Sequence, residues 1–140
     1  MENTKDIENQ LYQFRIIKEQ RDMFQGQLEI INASLGNLLN TKNTLQNIKD
    51  GVKKDDEIII PIGGLVGIKA TIQDTHRTLL FIGNDSVIEK DISDSIVFTE
   101  KLIEQHNEQL KSLSERIQKL DFAIQGMSQS IQESYSGRRG

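Results

Sequence analysis

Residues 57–90 read EIIIPIGGLVGIKATIQDTHRTLLFIGNDSVIEK, and they carry the strongest structural signal in the chain. It holds four short apolar runs, which are separated by Gly63-Gly64, by the polar residues 74–77 and by Gly83-Asn84-Asp85. Glycine tolerates the positive φ angles that tight hairpin turns need. The stretch therefore predicts two consecutive β-hairpins with strands EIIIPI, LVGIKATI, TLLFI and SVIEK.

Four short strands cannot complete a sheet on their own. Pro61 lacks a backbone N–H, so we expect it to lie at an edge or to turn that side away from a ladder. Open edges next to apolar faces favour pairing with another chain, and closure into a β-barrel with strands of other subunits removes the edges. We expect the oligomer contacts to be made by the apolar strand residues, which are Ile58, Ile60, Ile62, Val66, Ile68, Ala70, Ile72, Leu79, Phe81 and Val87.

Heptad patterns flank this stretch on both sides. In each flanking segment two rows of mostly apolar residues recur every seven positions. We call these rows the seam, since such rows typically join two helices. The upstream rows are Ile7, Phe14, Arg21, Leu28, Leu35, Lys42 and Lys49, and Gln10, Ile17, Phe24, Ile31, Leu38, Leu45 and Val52. The downstream rows are Ile96, Ile103, Leu110, Ile117, Ile124 and Ile131, and Ile92, Thr99, His106, Leu113, Leu120, Met127 and Ser134.

The two heptad segments have similar lengths, so they can pair as an antiparallel hairpin. The predicted fold class is α+β: a long antiparallel two-helix coiled coil with two inserted β-hairpins that join an intersubunit β-barrel. The predicted segments are an N-terminal coiled-coil helix (1–52), the hairpins as oligomerisation base (53–90), a C-terminal coiled-coil helix (91–136) and a flexible tail (137–140). Asp91 is the predicted N-cap of the second helix.

Composition narrows the function classes. Hydrophobic residues make up 36% of the chain and aromatic residues 5%, which is low for a compact domain but suits long helices. There is no cysteine, and the net charge of −4 gives no general attraction for nucleic acid. No apolar run is long enough to cross a membrane, and the polar start MENTKDIENQ lacks the apolar core of a signal peptide. We therefore expect a cytoplasmic protein without nucleic-acid or membrane partners.

No motif for catalysis or for a cofactor is visible. His76 and His106 lie far apart without metal-ligand spacing, and they are interpreted as a solvated loop residue and a polar break in the seam. The GGLVG run lacks the Lys-Ser/Thr of a phosphate loop and precedes a strand rather than a helix. We expect no enzymatic activity, no metal and no cofactor.

The paired ends of the two heptad segments are the candidate binding site. A two-helix end cannot cover all of its own apolar surface, and exposed apolar patches usually mark interaction sites. The candidate residues are Ile7, Leu11, Tyr12, Phe14, Ile124, Met127, Ile131 and Tyr135.

The layout of long helix, two hairpins and long helix resembles the alpha subunits of the prefoldin family. The most specific part is residues 58–98, where a Pro and a Gly-rich turn are followed by an apolar strand with Lys and Ala. A DT-type connection, an apolar strand ending in Gly and a V-x-E-K strand come next. This sequence departs from the family pattern at Gly67-Ile68, where an aromatic residue is frequent, and at Asn84-Asp85-Ser86.

The resemblance implies a molecular chaperone that binds unfolded proteins at coiled-coil tips without ATP and passes them to a group II chaperonin. It also implies a hexamer of two alpha and four prefoldin beta subunits, and an archaeal type of chain. Two alternatives stay open, namely a structural coiled-coil adaptor for one folded partner and a prefoldin-like subunit of another assembly.

Overall fold

The computed structural model describes residues 2–139 of the chain, and the side chains of residues 4–137. Within this range there are two long helices and four short strands, in the order α1 (Glu2–Gly51), β1 (Glu57–Ile62), β2 (Val66–Thr71), β3 (Arg77–Phe81), β4 (Val87–Asp91) and α2 (Ile92–Arg139). The predicted class, α+β with two hairpins between two helices, is confirmed.

The seam predicted from the heptads is also confirmed. Every residue of the four predicted rows is buried or half-buried except Lys49, whose side chain is exposed in the last turn of α1. A lysine at this place interacts favourably with the negative end of the helix dipole, so its exposure costs the helix nothing.

Two compact units make up the chain. Unit 1 comprises Met1–Ser34 and His106–Gly140, and unit 2 comprises Leu35–Gln105. Each of them contains part of α1 and part of α2.

Unit 1 is an antiparallel pair of helices. The Nε of Arg21 donates to the Oδ1 of Asp121 at 2.9 Å, and Ser34 Oγ lies 3.0 Å from His106 Nε2. The guanidinium of Arg116 lies 5.7 Å from the ring centre of Phe24. Because residues late in α2 meet residues early in α1, the first turns of α1 lie at the level of the last turns of α2. The polar break predicted at His106 is therefore a half-buried pair with a serine of the other helix.

Unit 2 joins the two hairpins to the remaining parts of the helices. The N–H of Ile92, the first residue of α2, donates to the carbonyl of His76 at 2.7 Å. Buried Ser95 hydrogen-bonds the Thr78 hydroxyl through its side chain, and its carbonyl accepts from the hydroxyl of buried Thr99 at 2.8 Å. These bonds satisfy the buried hydroxyls and fix β3 against the start of α2.

Asp91 ends β4 and precedes α2, where its Oδ1 accepts a long hydrogen bond of 3.4 Å from the N–H of Ser93. This is the geometry of the predicted N-cap, in which a side-chain oxygen accepts from the second residue of the helix.

The four strands form two separate two-stranded antiparallel sheets, β1 with β2 and β3 with β4. Every strand has only one neighbour among the described residues, so all four have a free edge, as the sequence predicts. Pro61 lies in β1 opposite Gly67, which agrees with its predicted place in an edge strand.

The structure sets the element bounds close to the predicted ones. Val52 lies just beyond α1, and α2 continues through Arg139, past the predicted start of the tail at residue 137. Gly140 lies outside the described residues. Neither helix contains a stretch that is both long and apolar enough to span a membrane.

Candidate functional site

The paired helix ends of unit 1 are built from the first turns of α1 and the last turns of α2. We call this region, residues 4–14 and 124–137, the end surface. The structure brings its predicted residues to one end of unit 1, but their exposure differs. Leu11, Tyr12 and Tyr135 are exposed, whereas Phe14, Ile124, Met127 and Ile131 are half-buried.

Ile7 is buried, with 5% of its surface exposed, because it occupies a seam position facing α2. In this structure it serves the packing of the two helices, and it is covered while the ends are paired. The end surface thus has an outer part that is exposed in the paired state and a seam part that is covered.

One buried polar atom of the end surface has no hydrogen-bond partner among the described residues. The Oε1 of Gln10 is buried and accepts no hydrogen bond. A buried acceptor without a bond lowers the stability of the helix pair, so the seam is weakened at this end of unit 1.

The hairpins form the second candidate surface. In the β1–β2 sheet the cross-strand pairs Ile58–Ala70, Ile60–Ile68 and Ile62–Val66 lie on one face. In the β3–β4 sheet Phe81 faces Val87 across the strands, and Leu79 faces Glu89. The structure therefore gathers nine of the ten predicted oligomer residues on one face of their respective sheets. Ile72 follows β2 and is half-buried.

Several exposed apolar residues were missed by the sequence reasoning. Leu65, at the β1–β2 turn, is 100% exposed, and Ile59 lies on the face opposite to the predicted contacts. On the helices Phe122 is 80% exposed, and Met23 and Ile30 are exposed as well. All three helical residues fall outside the heptad rows, and a search for apolar residues outside the rows would have found them.

Neither surface offers a site for a metal ion or a phosphate. The described residues contain no cluster of histidine, aspartate and glutamate suited to a metal ion. The GGLVG run forms the turn between β1 and β2 and the first two residues of β2, and Gly63 has a φ of +70°. It therefore does not lead into a helix N-terminus, where a phosphate would be bound.

Among the described residues, the carboxylate with a shifted pKa is that of Asp74, in the linker between β2 and β3. Asp74 Oδ1 accepts from the backbone N–H groups of His76 at 2.8 Å and Arg77 at 3.2 Å. These bonds lower the pKa of Asp74 from its ordinary value of 3.8, and the bond from His76 has the largest effect. The His76 side chain is exposed, as predicted, and its carbonyl is the acceptor for α2 noted above.

Comparison with known proteins gives consistent matches. The family model described as "Prefoldin subunit" matches residues 17–137. Similar relatives include a prefoldin subunit alpha of Pyrococcus horikoshii, 25% identical over 132 residues that cover 94% of this chain and 89% of the relative. A prefoldin subunit alpha of Methanococcus aeolicus is 28% identical over 136 residues, which cover 97% and 92%.

A solved structure has the same fold. A chain in the cryo-EM structure of filamentous PFD from Methanocaldococcus jannaschii aligns with a TM-score of 0.68 at 15% sequence identity. The alignment covers 83% of this chain and 95% of that chain.

Proposed function

The chain belongs to the prefoldin family of chaperone subunits, and on that premise we propose that it binds non-native proteins at its end surface without using ATP. The observation that carries the proposal is the exposure of Leu11, Tyr12 and Tyr135 beside the half-buried seam residues of the same end. Non-native proteins expose apolar side chains, which such a surface binds by removing apolar area from water. We expect no catalytic step and no cofactor in this activity.

The proposed binding is weak at each end and strong only in sum. Three partly exposed side chains bury little area, so one end surface holds a client only briefly. Several ends raised from one assembly would hold the client by multivalency, and each contact would remain labile enough for release. Polar neighbours such as Gln13, Ser128 and Ser136 keep the end surface from associating with itself.

The hairpins would supply that assembly. Their free edges and exposed apolar faces support closure into a β-barrel with strands of other subunits. We propose prefoldin beta subunits as partners, in a hexamer of two alpha and four beta chains. We further propose that the complex acts in the cytoplasm and passes clients to a group II chaperonin.

The test uses the assembled complex of this chain with beta-type subunits and a denatured client whose aggregation is followed by light scattering. Removal of residues 1–14 and 124–140 should abolish protection. Because this deletion also removes seam contacts, the triple variant L11Q/Y12Q/Y135Q changes only exposed side chains. It should raise the concentration needed for half-protection about tenfold.

The control is L39Q, which replaces an exposed leucine of α1 in unit 2 and should protect as well as the wild type. Full protection by both the deletion and the triple variant would refute binding at the end surface. Transfer is tested separately, by the yield of refolded client after a group II chaperonin is added.

Two other functions make different predictions. A structural adaptor would bind one folded partner at saturation and would ignore denatured clients. A prefoldin-like subunit of another assembly would fail to form a defined complex with beta-type chains. The neighbour from M. jannaschii is filamentous, so native mass spectrometry of this chain alone and with beta-type chains must also report self-assembly.

A further inference from the structure

A side groove runs between the two helices of unit 1, away from the end surface. It has a volume of about 290 Å³ and is lined by Gln27, Ile31, Gln109, Ser112, Leu113 and Arg116. Ile31 and Leu113 are seam residues, and they form the apolar floor. Gln27 and the small side chain of Ser112 stand at the rims, so the groove is open to solvent.

The α1 rim of this groove continues into an apolar ridge. Ile16, Met23 and Ile30 recur every seven residues, and at 100° per residue they lie 20–60° from Gln27 on the side turned away from the seam. Met23 is 53% exposed and Ile30 71%, while Ile16 is half-buried. More than half of the surface of Met23 and of Ile30 is exposed, so packing within the chain does not account for their apolar character.

The α2 rim carries positive charge. Arg116 is held over the ring of Phe24, and none of the ion pairs among the described side chains involves it. Lys119 lies almost one turn further along α2, outside the groove lining, and adds a second positive charge. The cation–π contact fixes the guanidinium and leaves its N–H donors free for a carboxylate. The chain carries a net charge of −4, so this positive rim is a local exception.

From this arrangement we propose that the side groove binds an amphipathic α-helix of a partner polypeptide, with an apolar stripe against the ridge and glutamate or aspartate toward Arg116 and Lys119. The ridge residues lie seven positions apart on α1, and a bound helix also presents side chains at this spacing on one face. This match favours a helical partner over an extended one. The charge of the rim selects an acidic flank. This surface is distinct from the end surface because it uses different residues. It also selects a partner by the partner's helical structure and negative charge.

The experiment measures fluorescence anisotropy of a labelled 21-residue peptide with leucine at helical spacing and glutamate along one flank. A second peptide has lysine in place of each glutamate. Both are titrated with the full-length chain, with M23Q/I30Q, with R116Q and with F122Q. Phe122 is as exposed as the ridge residues but falls outside both rows and the groove lining, so F122Q is the matched control.

The wild-type chain should prefer the acidic peptide. M23Q/I30Q should weaken binding of both peptides about tenfold, because the apolar contact is lost. R116Q should weaken binding of the acidic peptide about fivefold and should not weaken binding of the lysine peptide. Equal binding of both peptides by the wild type would overturn the proposal, as would a loss of affinity in F122Q that matches M23Q/I30Q. The L11Q/Y12Q/Y135Q variant should bind the peptide normally, which separates this outcome from that of the end surface.

Discussion

Gln10 shows how a single polar residue can tune the end surface. It occupies a seam position, yet its Oε1 is buried without a hydrogen-bond partner. In the unfolded chain the same oxygen is hydrated, so pairing of the helices carries a desolvation cost of about 1–2 kcal/mol at this atom. A weakened seam near Ile7 would also favour separation of the ends, which exposes further apolar surface.

We predict that Gln10→Leu stabilises the chain by about 1–2 kcal/mol, because it removes the unpaired oxygen and adds apolar area to the seam. For a chain of this length this corresponds to a rise in the melting temperature of roughly 3–8 °C, measured by far-ultraviolet circular dichroism. Gln13→Leu is the control, since Gln13 is exposed and should change stability by less than about 0.5 kcal/mol. An unchanged or lower melting temperature of Q10L would contradict the prediction.

Asp74 makes the β2–β3 linker sensitive to acid. The N–H groups of His76 and Arg77 favour its charged form, and they lower its pKa below 3.8 in the folded chain. A lowered folded-state pKa stabilises the linker at pH above about 3.8, and this contribution is lost as the pH falls through the folded pKa.

We predict that the Asp74 carboxyl carbon titrates in NMR spectra with a midpoint below 3.8, and that the amide proton of His76 shifts with the same midpoint. In Asp74→Asn the His76 amide should no longer respond in this pH range, since the group that titrates is absent. A midpoint at or above 3.8 would show that the two hydrogen bonds do not persist in solution.

Among the elements, the β3–β4 turn holds one residue in a conformation that it does not favour. Gly83 accepts from the N–H of Ser86 at 2.9 Å, with Asn84 at φ +43° and Asp85 at φ +62° between them. Two central residues with positive φ define a type I′ turn, which suits the twist of a hairpin. Asparagine tolerates this conformation well, but aspartate in the second place is less favourable than glycine.

We therefore predict that Asp85→Gly stabilises the β3–β4 hairpin by about 0.5–1 kcal/mol, whereas Asp85→Ala destabilises it by about 1 kcal/mol. The readout is amide hydrogen exchange at Ser86 and Ile82, whose N–H groups bond across the turn. We expect slower amide exchange in D85G and faster amide exchange in D85A. If the amides of α1 changed in the same way, the substitutions would alter the stability of the whole chain and not that of the hairpin alone.

The elements could be predicted from the sequence because each has a strong local signal. Heptad spacing identified the seam, and glycine-containing turns between β-branched runs identified the hairpins. The exposure of individual side chains could not be predicted in the same way. Ile7 and Leu11 lie one turn apart in the same helix, but only the partner helix decides that one is buried and the other exposed. The missing bond of Gln10 and the groove beside Ile31 likewise depend on side chains far away in the chain.

The whole molecule has far more apolar surface than it can cover. Among the side chains of residues 4–137, five hydrophobic ones are buried, whereas twenty large ones are exposed. Eleven of those twenty lie between Ile59 and Ile88, in the two hairpins and their turns. Exposed apolar patches of this kind mark interfaces in soluble proteins, and free strand edges add unpaired backbone groups to the same region. We therefore expect the hairpins to be the part of the chain whose stability depends most on partners.

This dependence predicts the effect of two substitutions on assembly. Phe81 is 83% exposed and Leu65 fully exposed, so neither supports the fold of the single chain. If partner subunits cover them, L65S/F81S loses about 3–5 kcal/mol of association free energy, which weakens assembly by more than a hundredfold. Sedimentation velocity at micromolar concentration, with and without beta-type chains, should then show a monomer where the wild type is associated.

Phe122→Ser removes an equally exposed aromatic residue from α2 and should assemble like the wild type, because helix faces outside the hairpins do not contribute strands. Association of L65S/F81S at wild-type concentrations would mean that the partners contact only strand edges, and that the apolar hairpin faces stay in water.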